Sequence, residues 1–134
     1  LELSKMNFMK KIPTIVGVQS KSSSSFYDQY IKNSEKPILS KANSVCDSIN
    51  VDYPLDGFFA YKYLNKVKGK MMVETDKNII KSKKILLKKF GINCCSSSAS
   101  TFAILKKLIL NKKINNKNIL LLLTGTGFKD LSNN

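Results

Sequence analysis

Ile119-Leu120-Leu121-Leu122-Leu123-Thr124-Gly125-Thr126-Gly127 is the stretch on which the fold turns. Its five consecutive apolar residues carry no helical periodicity. The Thr-Gly-Thr-Gly that stops them has the composition of a turn, so the run Ile119 to Leu123 reads as a strand buried on both faces. Just upstream, Ser98 to Leu110 reads as a helix with Ala99, Phe102, Ala103, Leu105, Leu108 and Ile109 on its buried side, and Asn111 to Asn118 reads as a polar turn. Helix, short turn, wholly apolar strand, glycine-rich turn is the order of an α/β fold with a mostly parallel sheet covered by helices.

Working outward, the sharpest local signal is a helix from Asp76 to Phe90. Thr75 stands at the N-cap, Asp76 puts negative charge in the first turn, and Gly91 occupies the position that closes a helix in the left-handed conformation. Ile79, Leu86 and Phe90 fall on one stripe, with Lys81, Lys84 and Lys88 on the other side. Earlier, Thr14 to Gln19 is a β-branched strand begun after Pro13, and Met71 to Val73 is a second short strand. Between them lie a serine-rich turn (Ser20 to Ser25), a short helix through Phe26, Tyr27, Tyr30 and Ile31, and a loop from Asn33 to Ser40. Two further helices are expected, one over Ala42 to Ile49 and one from Leu55 or Asp56 to Val67, the latter closed by Gly69. No internal repeat is evident.

The chain has 134 residues, enough for one domain with a real core. Its formal charge is +14, and all 23 of its basic residues are lysine. The lysines are spread along the whole chain, which fits a genome-wide residue bias better than a nucleic-acid surface. Such surfaces favour arginine for bidentate contacts, and none is present. The absence of histidine removes the usual neutral-pH proton shuttle and most zinc sites. Cys46, Cys94 and Cys95 lack both the even count of a disulfide framework and the paired spacing of a metal site, and read as reduced, buried thiols. No stretch is long and apolar enough for a membrane span, and the first residues do not resemble a signal peptide. A cytoplasmic chain without metal, nucleic acid or membrane is therefore expected.

Two clusters carry candidate chemistry. Ligands of open parallel sheets gather at the carboxyl ends of strands, and Thr124 is the first polar side chain at such an end. Its hydroxyl suits a heteroatom of a ring or acid, while Gly125 and Gly127 allow close backbone approach. An ordinary turn needing positive φ accounts for the same glycines. The second cluster, Cys94-Cys95-Ser96-Ser97-Ser98-Ala99-Ser100, leads into a helix; free amides there suit an anion, and simple capping by Ser97 or Ser98 accounts for it equally. A serine or cysteine nucleophile would need an activating base, and none is identifiable, which excludes a hydrolase.

At this point a resemblance enters. Ile119 through Asp130 resembles the C-terminal signature of threonine synthase, an apolar strand followed by Leu-Thr-Gly, a variable residue and Gly-Leu-Lys-Asp. Gly91-Ile92-Asn93-Cys94-Cys95-Ser96-Ser97-Ser98-Ala99-Ser100 is similar to that family's glycine-led segment ending in Glu-Pro-x-Ser-Ala-Ala. Ile12 to Gln19 resembles its Leu-Pro-Arg strand with Gly-x-Gln, Cys46-Asp47-Ser48-Ile49 and Asp52-Tyr53-Pro54 its Ala-x-(Ala/Ser)-Ile and Asn-Pro segment, and Thr75-Asp76 its Ser/Thr-Asp before a helix. The resemblance implies the C-terminal portion of the large domain of a fold type II (tryptophan synthase β-like) pyridoxal-phosphate enzyme. Residues 1–134 would then be a single, incomplete α/β domain.

By the same resemblance the activity is that of a lyase of threonine biosynthesis. It converts O-phospho-L-homoserine and water to L-threonine and phosphate by β,γ-replacement on pyridoxal 5′-phosphate. Thr124 would hydrogen-bond the cofactor's pyridine nitrogen, Gly125 and Gly127 would shape the turn beside the ring, and the helix start at Ser98-Ala99 would underlie the site wall. The departures are Cys95-Ser96 for Glu-Pro, Thr126 for a histidine common between the final glycines, Phe128 for leucine and Thr14 for arginine. The family's Schiff-base lysine and phosphate loop match nothing here, so no catalytic residue is assigned. The chain alone is expected to be inactive and to need the missing N-terminal part of the enzyme; a homodimer is compatible with this. The alternatives are another fold type II enzyme such as a threonine dehydratase or cysteine synthase, whose last strand usually lacks the Lys-Asp, and a non-catalytic remnant or basic nucleic-acid-binding module.

Overall fold

The structure, a computed structural model, describes residues 2–114, 118–128 and 130. In chain order it contains α1 (Glu2–Lys5), β1 (Val16–Ser20), α2 (Ser25–Ile31), a 3₁₀ turn (Asp47–Ile49), α3 (Gly57–Lys66), β2 (Lys70–Glu74), α4 (Asp76–Phe90) and α5 (Ser96–Leu110). β1 and β2 pair in parallel, with Val16 opposite Lys70 and Ser20 opposite Glu74. The α2–α3 segment makes the crossover that parallel strands require.

Side chains alternate across the two strands and sort the helices into layers. Gly17 and its register partner Met71 face α2 and α3, sharing an apolar cavity with Phe26, Ala60 and Leu64. Val18 points the other way, toward Ser97 and Thr101 of α5. Helix α5 lies on both strands, and α4 packs on α5. The parallel sheet with helices on either face is the expected α/β class. The densest core lies beyond the sheet, where Ile79 and Leu86 of α4 meet Ala99 and Ala103 of α5 with Cys46 and Cys94 between them.

Helix α4 follows its local signals at both ends. Thr75 Oγ1 accepts from the Asn78 amide at 3.4 Å, and Gly91 takes φ 67°. Helix α5 begins two residues before the expected Ser98, and its cap is Cys95, whose sulfur accepts from the Ser98 amide; neither Ser97 nor Ser98 serves as the cap. Within it Ile104 is buried and Ile109 is exposed, the reverse of the expected stripe at those positions.

Three expectations are corrected. Ala42 to Ile49 forms only the 3₁₀ turn: the Cys46 N–H, which a helix would direct to the Ala42 carbonyl, donates to Ser44 Oγ at 3.1 Å, and the Ile49 N–H closes on the Cys46 carbonyl at 3.0 Å. Ala42 N–H donates to Asp52, Ser44 N–H to Asn50 and Val45 N–H to Asp76, which fasten the segment in that path. Helix α3 forms as expected but buries only Gly57 and Leu64, leaving Phe58, Phe59 and Tyr63 exposed. The run Ile119 to Leu123 is extended but belongs to no sheet among the described residues. An apolar strand needs neighbours on its edges and faces, and here Leu120 is 84% and Leu122 66% exposed. Part of the expected polar turn, residues 115–117, lies outside the described residues.

Candidate functional site

The Thr124–Gly127 turn folds back onto the start of α5, so the two clusters singled out in the sequence are one place. Gly125 is held from both sides: its N–H donates to Ser98 Oγ at 2.9 Å, and its carbonyl accepts from the Cys95 N–H at 2.9 Å. Gly127 N–H donates to the Asn93 carbonyl at 3.1 Å, and Cys94 and Thr126 form an antiparallel bridge. Neither glycine has positive φ; among the described glycines that conformation is confined to Gly91. Their requirement is room. A Cβ at Gly125 would lie 2.5 Å from Cys95 Sγ, and one at Gly127 would lie 1.9 Å from Asn93 Oδ1 and 3.0 Å from the Cys94 carbonyl oxygen. The close approach expected of these glycines is thus to the α5 cap.

Thr124 emerges at the mouth of a cavity of ≈ 390 Å³ bounded by β1 (Val18), the 3₁₀ turn (Ser48, Ile49), α5 (Ser97, Ser98, Thr101) and Leu122. That volume falls in the range of small-molecule sites, roughly 300–1,000 Å³. Thr124 is exposed. Among the described residues the bonds of this turn run through Gly125, Gly127 and Phe128, and none engages the Thr124 hydroxyl. The wall is a set of hydroxyls on an apolar floor, with no ionised side chain in the lining. Ala99 is fully buried in the α4–α5 core and does not line the cavity. Sequence reasoning placed Thr124, Gly125 and Ser98 together by analogy alone, and gave no signal for Val18, Ser48 or Thr101.

Below the turn sits an ionic cluster that was not singled out. Asp130 Oδ2 accepts from the Ser96 N–H at 2.8 Å and the Ser96 hydroxyl at 2.7 Å, and pairs with Lys83 of α4. Burial alone would raise the Asp130 pKa, but the bonds from Lys83 and Ser96 outweigh it and hold the carboxyl below its ordinary range. At the end of β2, on the side that faces α5, Glu74 behaves alike. Its burial is outweighed by bonds from the Thr75 amide and Asn78, with Lys107 at 3.6 Å. Burial pushes the thiols of Cys46 (to about 11) and Cys94 upward, which suits structural cysteines. Among the described residues no three His, Cys, Asp or Glu side chains converge as metal ligands, and no helix is long and apolar enough to cross a membrane.

Comparison with known proteins adds the following. Residues 3–125 match a family model described as pyridoxal-phosphate dependent enzyme. A search of curated proteins returns no match. Similar solved structures include a fungal L-serine ammonia-lyase from Rhizomucor miehei (TM-score 0.69, 12% identity, covering 98% of this chain and 44% of that one). A serine racemase from Dictyostelium discoideum (0.65, 14%, 92% and 47%) and a threonine deaminase from T.th. (0.65, 14%, 84% and 39%) are also similar. At these identities the likeness is one of fold. The chain spans less than half the length of each.

Proposed function

The chain belongs to the pyridoxal-phosphate-dependent enzyme family, in its fold type II (tryptophan synthase β-like) branch, and from that membership we propose that it forms the cofactor-ring side of an amino-acid-transforming active site. Family membership supports pyridoxal 5′-phosphate as the cofactor. The single observation that carries the reading is Thr124: a hydroxyl free of protein partners among the described residues, at the rim of a cavity of ligand size, on a turn fastened to α5.

These residues fit the cofactor's ring. The Thr124 hydroxyl is able to hydrogen-bond a pyridine nitrogen and, unlike a carboxylate, leaves that nitrogen uncharged. Ile49 and Val18 offer apolar surface to a ring, and Ser97 offers a hydroxyl to its polar edge, beside Thr101, whose hydroxyl donates to the Ser98 carbonyl and keeps its acceptor sites. When bound, the cofactor supplies an electron sink that labilises bonds at the amino acid's α-carbon. The residues of this chain would then hold the ring, with Thr124 setting the charge on its nitrogen. The lysine that bonds the cofactor and the loop that binds its phosphate match no motif here, so we place them in further chain. The exposed apolar run Ile119–Leu123 and the unpaired outer edge of β1 support the presence of such a neighbour.

For the reaction, we favour deamination of a hydroxy amino acid: loss of water gives an enamine, whose hydrolysis releases the 2-oxo acid and ammonia. The named structures act on threonine or serine, and the fold is theirs. A second reading, threonine synthase, rests on the sequence Thr124-Gly125-Thr126-Gly127-Phe128-Lys129-Asp130. One assay separates them. The native assembly containing this chain is given threonine, serine or O-phosphohomoserine, and 2-oxo acid with ammonia is measured against phosphate release. Oxo acid supports the first reading, phosphate the second; neither product, with no bound cofactor, would sink both.

A further inference from the structure

We infer that Asp130 is a positioning residue: by bonding the first turn of α5 and Lys83 of α4, it holds the Thr124–Gly127 turn on the α5 cap. The inference deepens the reading of Thr124 as the ring contact and rests on it for its purpose, though not for its geometry.

The turn is anchored unevenly. On its N-terminal side, Ile119 to Leu123 makes no ladder with any described strand and is largely solvent-facing. That segment supplies little to fix Thr124. Among the described residues the hydrogen bonds that anchor the turn lie at or after Gly125: the Gly125 bonds to Cys95 and Ser98, the Gly127 bond to Asn93, and then Asp130. Of these partners Asp130 alone is charged. It receives two hydrogen bonds from Ser96, at the N-terminus of α5 where the helix dipole favours an anion, and a third from Lys83. Its carboxylate therefore ties the chain after the turn to α4 and α5 together. Bonds to ionised groups are the stronger kind, so Asp130 is the largest single restraint on this end of the turn. Without it the glycine backbone keeps only neutral bonds and is free to lift from Cys95.

Lifting has a chemical reporter. Cys95 is 4% exposed; its sulfur lies against the Gly125 backbone and the Ser98 hydroxyl, on the wall of the cavity that Thr124 borders. Cys46 is fully buried in the core between α4 and α5 and reports on global opening. The test is iodoacetamide labelling of the native protein at one pH, read cysteine by cysteine by tandem mass spectrometry, for wild type, D130A, D130N and K83M. Loss of a charge-assisted restraint is expected to raise Cys95 labelling about tenfold or more in D130A while leaving Cys46 at the wild-type rate. D130N keeps an acceptor for Ser96 and loses the ion pair, so it and K83M should fall between. Unchanged Cys95 labelling in D130A would overturn the inference. So would Cys95 and Cys46 rising together in D130A and D130N, since Asp130 would then serve only overall stability. T124A separates this from the ring contact: it should leave the labelling pattern intact and change the absorbance of bound cofactor. A changed pattern in D130A with no cofactor effect in T124A keeps the positioning role and removes the ring reading.

Discussion

The Gly125 carbonyl accepts the Cys95 amide at 2.9 Å, and the Gly125 Cα faces Cys95 Sγ so closely that a Cβ would stand 2.5 Å from the sulfur. This contact joins the Thr124–Gly127 turn to the start of α5 and brings Thr124 to the cavity. The sulfur is not free to swing away, because it caps α5 through the Ser98 amide.

Gly125→Ala should therefore displace either the turn or the cap. The expected cost is about 1–3 kcal/mol, typical of overpacking in a filled site. Chemical denaturation gives the stability change, and cofactor loading of the native enzyme should fall with it. A G125A protein with wild-type midpoint and full loading would show that the contact does not restrain the turn.

Asp76 ties two separate segments to the start of α4. It accepts from Ser20 at the end of β1, from the Ser44 hydroxyl at 2.8 Å and from the Val45 amide at 3.2 Å. Asp76→Ala should cost on the order of 2–3 kcal/mol, since three bonds to the carboxylate are lost and the buried Ser20 hydroxyl loses its acceptor. Amide exchange should rise at Val45 ahead of the α4 interior; uniform exchange along the chain would argue against this local role.

Acid sensitivity follows from Asp130 and Glu74, both held below the ordinary carboxylate range. A carboxylate with a lowered folded-state pKa contributes stability that is complete above its unfolded value, about 4, and disappears as pH falls through the lower folded value. Stability should be flat from neutrality down to roughly that point and then decline. D130N should flatten part of the decline, as measured by denaturation midpoints across an acid series. An unchanged acid limb would mean that the Lys83–Asp130 pair does not persist in solution.

The thiols make a fourth case. Cys46 is fully buried and its pKa is pushed up to about 11. It should resist alkylation at mildly alkaline pH in the folded protein and label rapidly in denaturant. Fast labelling of Cys46 under native conditions would show that the α4–α5 core opens readily.

Exposed apolar surface predicts behaviour when the chain is isolated. Leu120 and Leu122 stand out from an extended segment without partners among the described residues, and Phe128 is 70% exposed nearby. Such a segment is a template for association. L120K together with L122K should lower self-association of the 134-residue chain in light scattering and, in the native assembly, weaken binding to the proposed neighbour. No change in either measurement would mean the run is not an interface.

How much of this was legible in the sequence depended on how local its cause was. Helix α4 was readable to the residue because Thr75, Asp76 and Gly91 act within one turn of the ends they define. The start of α5 was misjudged because a cysteine does the capping, outside the usual set of cap residues. Ala42 to Ile49 looked helical because nothing nearby shows that Asp76, more than thirty residues on, takes the Val45 amide and the Ser44 hydroxyl. The strand expected at Ile119 to Leu123 was read from its apolar content, but pairing depends on neighbours that no described residue supplies. In the site, Thr124 and its glycines were legible from their place at the end of an apolar run, and the resemblance added only the ring they would contact. That the glycines are needed for closeness to Asn93 and Cys95 could not be seen before those segments met in space.

The central claim is that Thr124 touches the cofactor ring, and the most direct measurement is the absorbance spectrum of bound pyridoxal phosphate in the native assembly, for wild type, Thr124→Ala and Thr124→Asp. The account predicts a cofactor band in wild type, a shifted band in Thr124→Ala, and in Thr124→Asp a further change that follows from a carboxylate keeping the ring nitrogen protonated. Identical spectra in all three proteins, or no cofactor band in the wild-type assembly, would contradict it.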